Sequence, residues 1–354
     1  MSDDLTGPAG MVADTASRLF QDLFWPDGVW SGHPGWDSGK WDVIESAGLP
    51  LALVPEDAGG FGLARRDALD LIRIAAVHVV PVPFAETLLA NWMLAICGVP
   101  LPGGPLSIAI DDEPLPILRK GGGYEFATRA ARTPWARHAS RIVALVGHGH
   151  RPCATAISQS EIAVEYGENL GGEPRDNLTF NCVLDEKRMR PLPSGLEATD
   201  VFGCAAALRV ISIAGAIEGM LGRTIRYAQE RVQFGRPIGK FQAVQNLLAV
   251  MAGHSAVAAA AAQIAADAFA DPNRRIAIAA AKVAADEAAG ASAAIAHQVH
   301  GAIGFTREHP LHLYSTRLWS WREEYGNGET WSRRIGAAAL GEGAEGLWPF
   351  ITAA

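Results

Sequence analysis

The amino-acid sequence predicts an α+β protein that is mostly helical, with a helical N-terminal domain, a small middle β-domain and a C-terminal four-helix bundle. Three observations lead to this fold class. Apolar residues recur at helical spacing in the first part of the chain, proline, glycine and short β-favouring runs concentrate in the middle, and long alanine-rich stretches fill the last part. A chain of 354 residues also exceeds what a single hydrophobic core usually organises.

The N-terminal domain is predicted to span residues 1–101 and to consist of helices. Leu69, Ile72 and Ala75 follow the three- and four-residue spacing that places apolar side chains on one face of a helix. The segment 55–62, PEDAGGFG, interrupts this pattern, because proline and consecutive glycines favour a turn.

The middle β-domain is predicted to span residues 102–196, where proline and glycine become more frequent. Two runs within it favour strands: 140–146 (SRIVALV) and 177–184 (NLTFNCVL). Turn-forming residues flank both runs, so the domain is expected to contain short strands joined by tight connections.

The C-terminal domain is predicted to span residues 197–354 and to contain four helices. They are placed at 201–232, 240–270, 274–300 and in a shorter stretch from residue 310. Asp271 before Pro272 marks the clearest break, because proline suits the first position of a helix. Alanine-rich faces let helices approach closely, which favours a bundle.

Composition and charge exclude several kinds of partner. The chain is 49% hydrophobic and 19% charged, which is typical of soluble globular proteins. A formal net charge of −8 supplies no basic field for binding nucleic acid, so no nucleic-acid partner is expected. Residues 1–4, MSDD, are acidic where a secretory signal would be basic, so a cytoplasmic location is expected.

Neither a membrane span nor a metal site is predicted. The most apolar stretches are 72–82, which is broken by proline, and 256–266, which is mostly alanine and therefore has a small transfer free energy. The cysteines lack the short paired spacing of zinc or redox motifs; they are Cys97, Cys153, Cys182 and Cys204.

Two segments of the C-terminal domain are suited to a phosphate-bearing cofactor. In 231–242, RVQFGRPIGKFQ, Arg231 follows a predicted helix and offers a fixed cation for a pyrophosphate, and Gln242 offers a neutral donor and acceptor. In 298–305, QVHGAIGF, Gln298 also offers a neutral donor and acceptor, and Gly301 leaves the backbone open to the close approach of a cofactor. Taken singly, the arginine fits a helix-capping cation and the glycine a helix C-cap equally well.

These segments resemble motifs of the acyl-CoA dehydrogenase family. Segment 231–242 resembles its R-x-x-F-G…Q motif, and 298–305 resembles Q-x-x-G-G-x-G-F with Ala302 in place of one glycine. Segment 55–62 matches the N-terminal P-E-x-x-G-G-x-G turn. The three matches occur in the family's order, so the resemblance covers essentially the whole chain and implies an acyl-CoA dehydrogenase-like fold.

The resemblance also implies a cofactor and partners. It implies FAD as the cofactor, an acyl-CoA thioester as substrate and an acceptor of the electron-transfer flavoprotein type. Arg231, Phe234 and Gln298 would contact the FAD of a neighbouring subunit, so the site would require an oligomer. The remaining residues of the C-terminal domain implied to bind the cofactor are Gln242, Gly301 and Thr330.

The middle domain matches the family less well. Segment 133–139, TPWARHA, lies where the family has a W-I-T-N segment beside the isoalloxazine ring. The resemblance implies that Trp135 covers the flavin, and a core tryptophan is the alternative. Arg137 departs from the family's small hydroxyl residue, and the family's T-E-P strand has only 110–114, IDDEP, as a counterpart.

The family's catalytic base cannot be located in the sequence. Dehydrogenation removes an α-proton, which requires a carboxylate in a dry pocket. The resemblance places this glutamate two residues before Thr330, where the chain has Gly328. The alternative family position falls near Ala205 or Ser212. Glu329 is the nearest carboxylate, and the other candidates are Glu218, Glu323 and Glu324.

Three interpretations follow from the missing glutamate. The chain resembles the short subunit of heteromeric acyl-CoA dehydrogenases that oxidise CoA thioesters of steroid side chains, in which a longer homologous subunit supplies the base. An autonomous homo-oligomeric dehydrogenase using Glu329 is the second interpretation. A non-catalytic scaffold of the same fold is the third.

Overall fold

The structure is a computed structural model that describes residues 8–30, 35–148 and 151–353. The acidic segment 1–4, on which the predicted location rests, lies outside the described residues. The chain divides into two compact units. One contains the residues up to Ala68 together with Pro81–Ala205, and the other contains Leu69–Val80 together with Ala206–Ala354. The predicted three-domain division stays a prediction.

The first hundred residues are helical, as the apolar spacing predicts. The helices are Pro8–Phe24 (α1), Ser38–Ser46 (α2), Arg65–Val77 (α3) and Phe84–Ile96 (α4). Asp37 caps α2, since its side chain accepts a hydrogen bond from Lys40 N at 3.2 Å. Nearly all of α4 is buried.

The turn at 55–62 requires its glycines. Residues Glu56–Ala58 form a short 3₁₀ turn, and Gly59 has a φ of 94°, in the left-handed region. A Cβ at Gly60 would lie 1.7 Å from the carbonyl oxygen of Val54, so any other residue would displace the backbone.

The middle of the chain folds into short strands arranged in small sheets. The strands are Leu106–Ala109 (β1), Leu118–Lys120 (β2), Gly123–Phe126 (β3), Arg129–Pro134 (β4), Arg141–His148 (β5), Arg151–Ser158 (β6), Ile162–Glu165 (β7), Arg175–Phe180 (β8), Cys182–Leu184 (β9) and Arg190–Pro191 (β10). They pair in the orders β1-β5-β6-β10, β2-β3-β9 and β4-β8-β7. One apolar core includes Ile142 and the stacked rings of Phe126 and Phe180, whose centroids lie 4.4 Å apart.

The predicted run 177–184 is divided between two sheets. β8 pairs with β4 and β7, whereas β9 pairs with β3. The change occurs at Asn181, the single residue between the strands. The alternation of apolar and polar residues along the sequence cannot show this change of partner strand, because both strands bury alternate residues in the same core.

The last part of the chain is helical, and the predicted helices agree with the structure within three residues. The helices are Ala198–Glu230 (α5), Gln242–Ala268 (α6), Arg275–His300 (α7), Leu311–Trp321 (α8) and Gly328–Ala353 (α9). The structure therefore adds one helix, α9, to the four that the sequence predicts. Its sequence signal is Asn327, whose Oδ1 accepts hydrogen bonds from Thr330 N and Oγ1, both at 3.0 Å. The hairpin between α5 and α6 contains Val232–Gln233 (β11) and Arg236–Pro237 (β12).

The C-terminal part of α3 packs directly against α5. A Cβ at Gly215 would lie 2.1 Å from Arg73 O, and one at Gly219 would lie 2.5 Å from Val77 O. Glycine at both positions therefore allows the two helix backbones to approach more closely than side chains permit. Tyr314 on α8 joins this contact by donating its hydroxyl proton to Val77 O at 2.9 Å.

Among the residues that the structure describes, two helices are long and apolar enough to cross a membrane by length and composition, α5 and α6. The apolar window of α5 is completely buried within the protein, as in the core helix of a soluble protein, whereas 22% of the α6 window is buried. The expectation that no segment spans a membrane stays a prediction.

Candidate functional site

The segment that follows α5 forms an exposed hairpin. Arg231 comes directly after the last residue of the helix, and its backbone NH donates to Tyr227 O at 2.9 Å. Its carbonyl accepts from Ile238 N at 2.8 Å, which closes the hairpin made by β11 and β12. The backbone of Arg231 is thus fixed while its side chain is exposed. This arrangement presents a guanidinium to solvent at a defined position, which suits an anionic ligand.

Phe234 lies at the hairpin tip in a strained conformation. Its φ is 52°, in the left-handed region, and its side chain is 92% exposed. Such a φ in a non-glycine residue costs about 1–3 kcal/mol and is more often found where a segment contacts a ligand or partner. Its ring lies edge-on to Phe241, with centroids 6.1 Å apart. Gln242, the first residue of α6, follows this aromatic pair and is exposed.

The segment that follows α7 leaves its backbone open. Gln298 is exposed on the last turn of the helix, and Gly301 has a φ of 65° with nothing within 4 Å of the position a Cβ would take. Residues Gly301–Phe305 form a 3₁₀ turn. A Cβ at Gly304 would lie 3.0 Å from both His300 Cβ and Leu311 Cδ2, so this glycine lets the turn pack tightly on α7 and α8.

The structure brings the ends of α5 and α7 together. The ring of Tyr227 stacks on that of His300, with centroids 4.4 Å apart and an interplanar angle of 21°. Tyr227 precedes Arg231 by one helical turn, and His300 directly precedes Gly301. The exposed guanidinium of Arg231, the exposed amide of Gln298 and the open backbone at Gly301 are a donor set that fits a dinucleotide with a pyrophosphate.

Trp135 lies elsewhere, in the unit that contains the β-domain. It is 2% exposed, has a φ of 54° and donates its backbone NH to Pro174 O at 3.0 Å. Its environment in the single chain is that of a core tryptophan. The predicted contact with a flavin stays a prediction.

Arg137, which replaces the family's hydroxyl residue, is engaged within the same unit. Its guanidinium binds the buried carboxylate of Asp176 at 2.6 Å, and its backbone NH donates to the other carboxylate oxygen at 2.9 Å. It also lies 4.3 Å from the ring of Tyr166. Arginine has no hydroxyl group, and the guanidinium of Arg137 is already bound to Asp176. The segment therefore departs from the family chemically as well as in sequence.

Gly328, at the position implied for the base, is the first residue of α9. Its φ lies outside the left-handed region, and the nearest atom to an added Cβ would be Asp286 Oδ2 at 3.8 Å, an ordinary contact. Neither the backbone nor the packing therefore requires glycine there. The backbone and its surroundings at this position would accept a residue with a Cβ.

The alternative family position carries no ionisable group. Ala205 and Ser212 are both buried in α5, and Ser212 Oγ donates to Leu208 O at 2.8 Å within the helix.

The candidate carboxylates of this chain are all engaged with arginines. Glu329 is 73% exposed and pairs with Arg333 one turn along α9, at 2.6 Å. Glu218 pairs with Arg73, and Glu323 pairs with Arg322, both at exposed positions. The side chain of Glu324 is 9% exposed, and its carboxylate lies 2.7 Å from Arg209 Nε. The assignment of Glu329 as the base stays a prediction, and its surroundings in the single chain are not the dry pocket that proton abstraction requires.

The sequence analysis missed a buried ion pair beside Gly328. Lys282 Nζ lies 2.7 and 2.6 Å from the two carboxylate oxygens of Asp286, and it also donates to Arg322 O at 2.9 Å. Burial lowers the pKa of Lys282 and raises that of Asp286 to about 6. A lysine four residues before an aspartate, within the alanine-rich middle of α7, is a signal that the sequence contained.

Comparisons with known proteins bear on the family and the fold of this chain. The family model for the acyl-CoA dehydrogenase C-terminal domain matches residues 198–340. The chain is 31% identical over 284 residues to acyl-CoA dehydrogenase IpdE2 of Mycobacterium tuberculosis, covering 80% of this chain and 81% of that protein. The chain belongs to the acyl-CoA dehydrogenase family. The chain is therefore an oxidoreductase of this family, and the resemblance inferred from the three motifs is confirmed.

Solved structures of the family confirm the predicted fold. The ChsE4–ChsE5 complex from Mycobacterium tuberculosis matches with a TM-score of 0.84 and 23% identity, covering 97% of this chain and 99% of that chain. The structure described as the Tcur3481–Tcur3483 steroid ACAD G363A variant matches with a TM-score of 0.81 and 24% identity, covering 95% and 98%. The mostly helical α+β architecture is therefore that of the acyl-CoA dehydrogenases.

We expect two histidines of the helical unit to lower the stability of this acyl-CoA dehydrogenase homologue in acid. Burial lowers the pKa of both His78 and His309 to about 4, and Arg223 is among the charges that lower them further. The unfolded state therefore binds more protons than the folded state between about pH 6.5 and pH 4, so stability falls as the pH falls through this window. We expect Tm, measured by differential scanning calorimetry, to drop steadily from pH 7 to pH 4.5.

Variants isolate this contribution, because Asp286 acts in the opposite direction. Its raised pKa favours the folded state as the pH falls from about 6 towards 4. In His78→Gln and His309→Gln the dependence of Tm on pH should become shallower. An unchanged slope in both variants would show that other groups govern the acid response.

Proposed function

We propose that this chain is an FAD-dependent acyl-CoA dehydrogenase subunit that lacks the usual base and acts together with a longer homologous subunit. The reaction is α,β-dehydrogenation of an acyl-CoA thioester, and a CoA ester of a steroid side chain is the substrate class. The observation that carries the proposal is Gly328, a glycine that neither backbone nor packing requires, at the position of the family's base.

The cofactor would be held by the exposed groups at the ends of α5 and α7. Arg231 would bind the pyrophosphate through a charge-assisted contact, and Gln298 and the open backbone at Gly301 would complete the cradle. Phe234, exposed at the hairpin tip, would pack against the dinucleotide or the neighbouring subunit. When bound, FAD would accept the β-hydrogen of the substrate as a hydride.

The proton that leaves the α-carbon needs an acceptor, and three candidate carboxylates among the described residues are each engaged with a cation. Glu329 is exposed and paired with Arg333, and Glu324 is mostly shielded from solvent but bound to Arg209. Asp286 lies near Gly328 but is held by both of its oxygens to Lys282. A carboxylate supplied by a partner subunit is consistent with all three arrangements.

The related proteins support the substrate class and the partner. One structure of this fold is a complex of two named chains, ChsE4 and ChsE5, and another is described as a steroid ACAD. By analogy we propose a heteromer, a steroid-derived acyl-CoA substrate and an electron-transfer flavoprotein-type acceptor in the cytoplasm, with no nucleic acid or membrane partner.

Two alternatives remain distinguishable by experiment. An autonomous homo-oligomer using Glu329 is favoured by its position next to Gly328 at the start of α9. A scaffold without catalysis is excluded by a purified protein that is yellow with bound flavin. Affinity purification of the chain from its native cells, followed by mass spectrometry of the partner, separates the homomer from the heteromer.

Arg231→Ala should lower flavin occupancy of the purified protein. Loss of a charge-assisted hydrogen bond costs about 1.5–3 kcal/mol, which corresponds to roughly a 10- to 100-fold weaker affinity. The flavin-to-protein ratio, read from absorbance near the flavin bands, measures the effect.

Arg226→Ala is the matched control, because Arg226 is another exposed arginine near the end of α5. Its flavin content should equal that of the wild type. Equal occupancy in wild type and Arg231→Ala would remove the assignment of Arg231.

A further inference from the structure

We propose that Tyr227 and His300 form an aromatic clamp, closed by His309, that positions the two cofactor segments relative to each other. The inference rests on the proposed binding of FAD at these segments. It assigns a positioning role to three residues that do not themselves belong to the cradle. The juxtaposition arises from the ends of α5 and α7 and the start of α8, all within the helical unit.

The stack between Tyr227 and His300 is the centre of the clamp. The rings are nearly parallel at 21°, and their centroids lie 4.4 Å apart. The Tyr227 hydroxyl also donates to His300 O at 3.4 Å, a long bond that contributes less than the stack. Since His300 is 4% exposed and Tyr227 is half-buried, the contact is largely shielded from water.

His309 closes the open side of the stack. Its ring centroid lies 4.6 Å from that of His300 and 5.8 Å from that of Tyr227, which it meets edge-on at 76°. Its Nδ1 accepts a hydrogen bond from Leu311 N at 3.2 Å, so His309 is fixed to the first turn of α8. The three rings therefore join three helix termini.

The hydrogen bonds of His300 leave packing as the main force that holds its ring against α5. Nδ1 bonds Ala296 O at 2.7 Å, within α7 itself. Nε2 has no hydrogen-bond partner among the residues that the structure describes. The contact between the two helix ends therefore rests mainly on the ring stack, and the long bond from the Tyr227 hydroxyl to His300 O contributes less.

The clamp can position the cradle because Tyr227 and His300 each lie next to a segment that is proposed to bind the cofactor. Tyr227 O accepts the backbone NH of Arg231 at 2.9 Å, so movement of Tyr227 moves the start of the hairpin. His300 precedes Gly301, whose φ of 65° sets the direction of the 3₁₀ turn. A pyrophosphate held from both sides needs these two backbones at a fixed separation.

Substitutions separate stacking from hydrogen bonding. Tyr227→Leu and His300→Ala remove the stack, whereas Tyr227→Phe and His300→Phe keep it and remove the polar atoms. Stacked aromatic pairs contribute about 0.5–1.5 kcal/mol, so the FAD dissociation constant of the first two variants should rise about two- to tenfold. That of the two Phe variants should stay within about twofold of the wild type.

The measurement is FAD fluorescence titration of the full-length chain in the complex isolated from its native cells. Tyr124→Leu is the matched control, because half-buried Tyr124 packs on His148 in the β-domain with centroids 4.6 Å apart. It should lower Tm like Tyr227→Leu and leave FAD affinity unchanged. If His300→Ala does not fold, the FAD affinity of Tyr227→Leu alone tests the role of the ring stack.

Three results would overturn the clamp: wild-type FAD affinity in Tyr227→Leu, equal weakening in Tyr227→Phe, or equal weakening in the Tyr124→Leu control. Failure of the clamp and failure of the proposed function remain distinguishable. If Arg231→Ala weakens FAD and Tyr227→Leu does not, only the clamp is wrong. If Arg231→Ala has no effect, the cofactor assignment itself fails.

Discussion

The isolated chain is expected to leave acyl-CoA essentially unoxidised, whereas the complex with its longer homologous subunit turns it over. A missing general base typically lowers the rate by about 10²- to 10⁴-fold. The physical reason is local: Gly328 occupies the implied base position, and Glu329 next to it is 73% exposed and paired with Arg333. Reduction of an artificial electron acceptor by acyl-CoA, with and without the partner, measures the difference.

Glu329→Gln distinguishes the shared site from the autonomous enzyme. The substitution preserves size and removes basicity, and the exposed ion pair that it breaks contributes little to stability. In an active two-chain complex it should be silent. If the isolated chain oxidises acyl-CoA and Glu329→Gln abolishes that activity, the shared-site proposal is wrong and Glu329 is the base.

Lys282→Met is expected to destabilise the helical unit by about 3–5 kcal/mol. The lysine is 0% exposed and lies 2.6 Å from Asp286, which is 7% exposed, so its removal leaves a buried carboxylate without its counter-ion. Chemical denaturation at pH 7.5 measures the loss. At pH 5 the loss should be smaller, because burial raises the pKa of Asp286 to about 6 and the protonated form needs no counter-ion.

Arg333→Met is the matched control for this prediction. The Glu329–Arg333 pair has the same i,i+4 spacing and the same 2.6 Å separation, but its side chains are 73% and 74% exposed. Its loss should cost less than about 1 kcal/mol.

The double variant Lys282→Met, Asp286→Leu should recover most of the stability, since it removes both charges together. Equal effects in Lys282→Met and Arg333→Met would show that burial of the pair near Gly328 is unimportant.

The sequence predicted most of the fold because the relevant signals are local. The apolar spacing of Leu69 and Ile72 lies within α3, and the break at Asp271 falls where one long helix ends and the next begins. The segments beginning at Arg231 and Gln298 also carry their information in a few consecutive residues, and these were sufficient to identify the family.

The sequence by itself determined the helical pattern, the family, the segments proposed to bind the cofactor and the glycine at 328. Only the tertiary structure showed that Tyr227 meets His300, that Asp286 lies beside Gly328, and that Arg137 is bound by Asp176. The physical reason is that helix periodicity and turn chemistry depend on neighbours along the chain. Which charged or aromatic side chains meet depends instead on the packing of whole helices and sheets, and no short stretch of sequence records that packing.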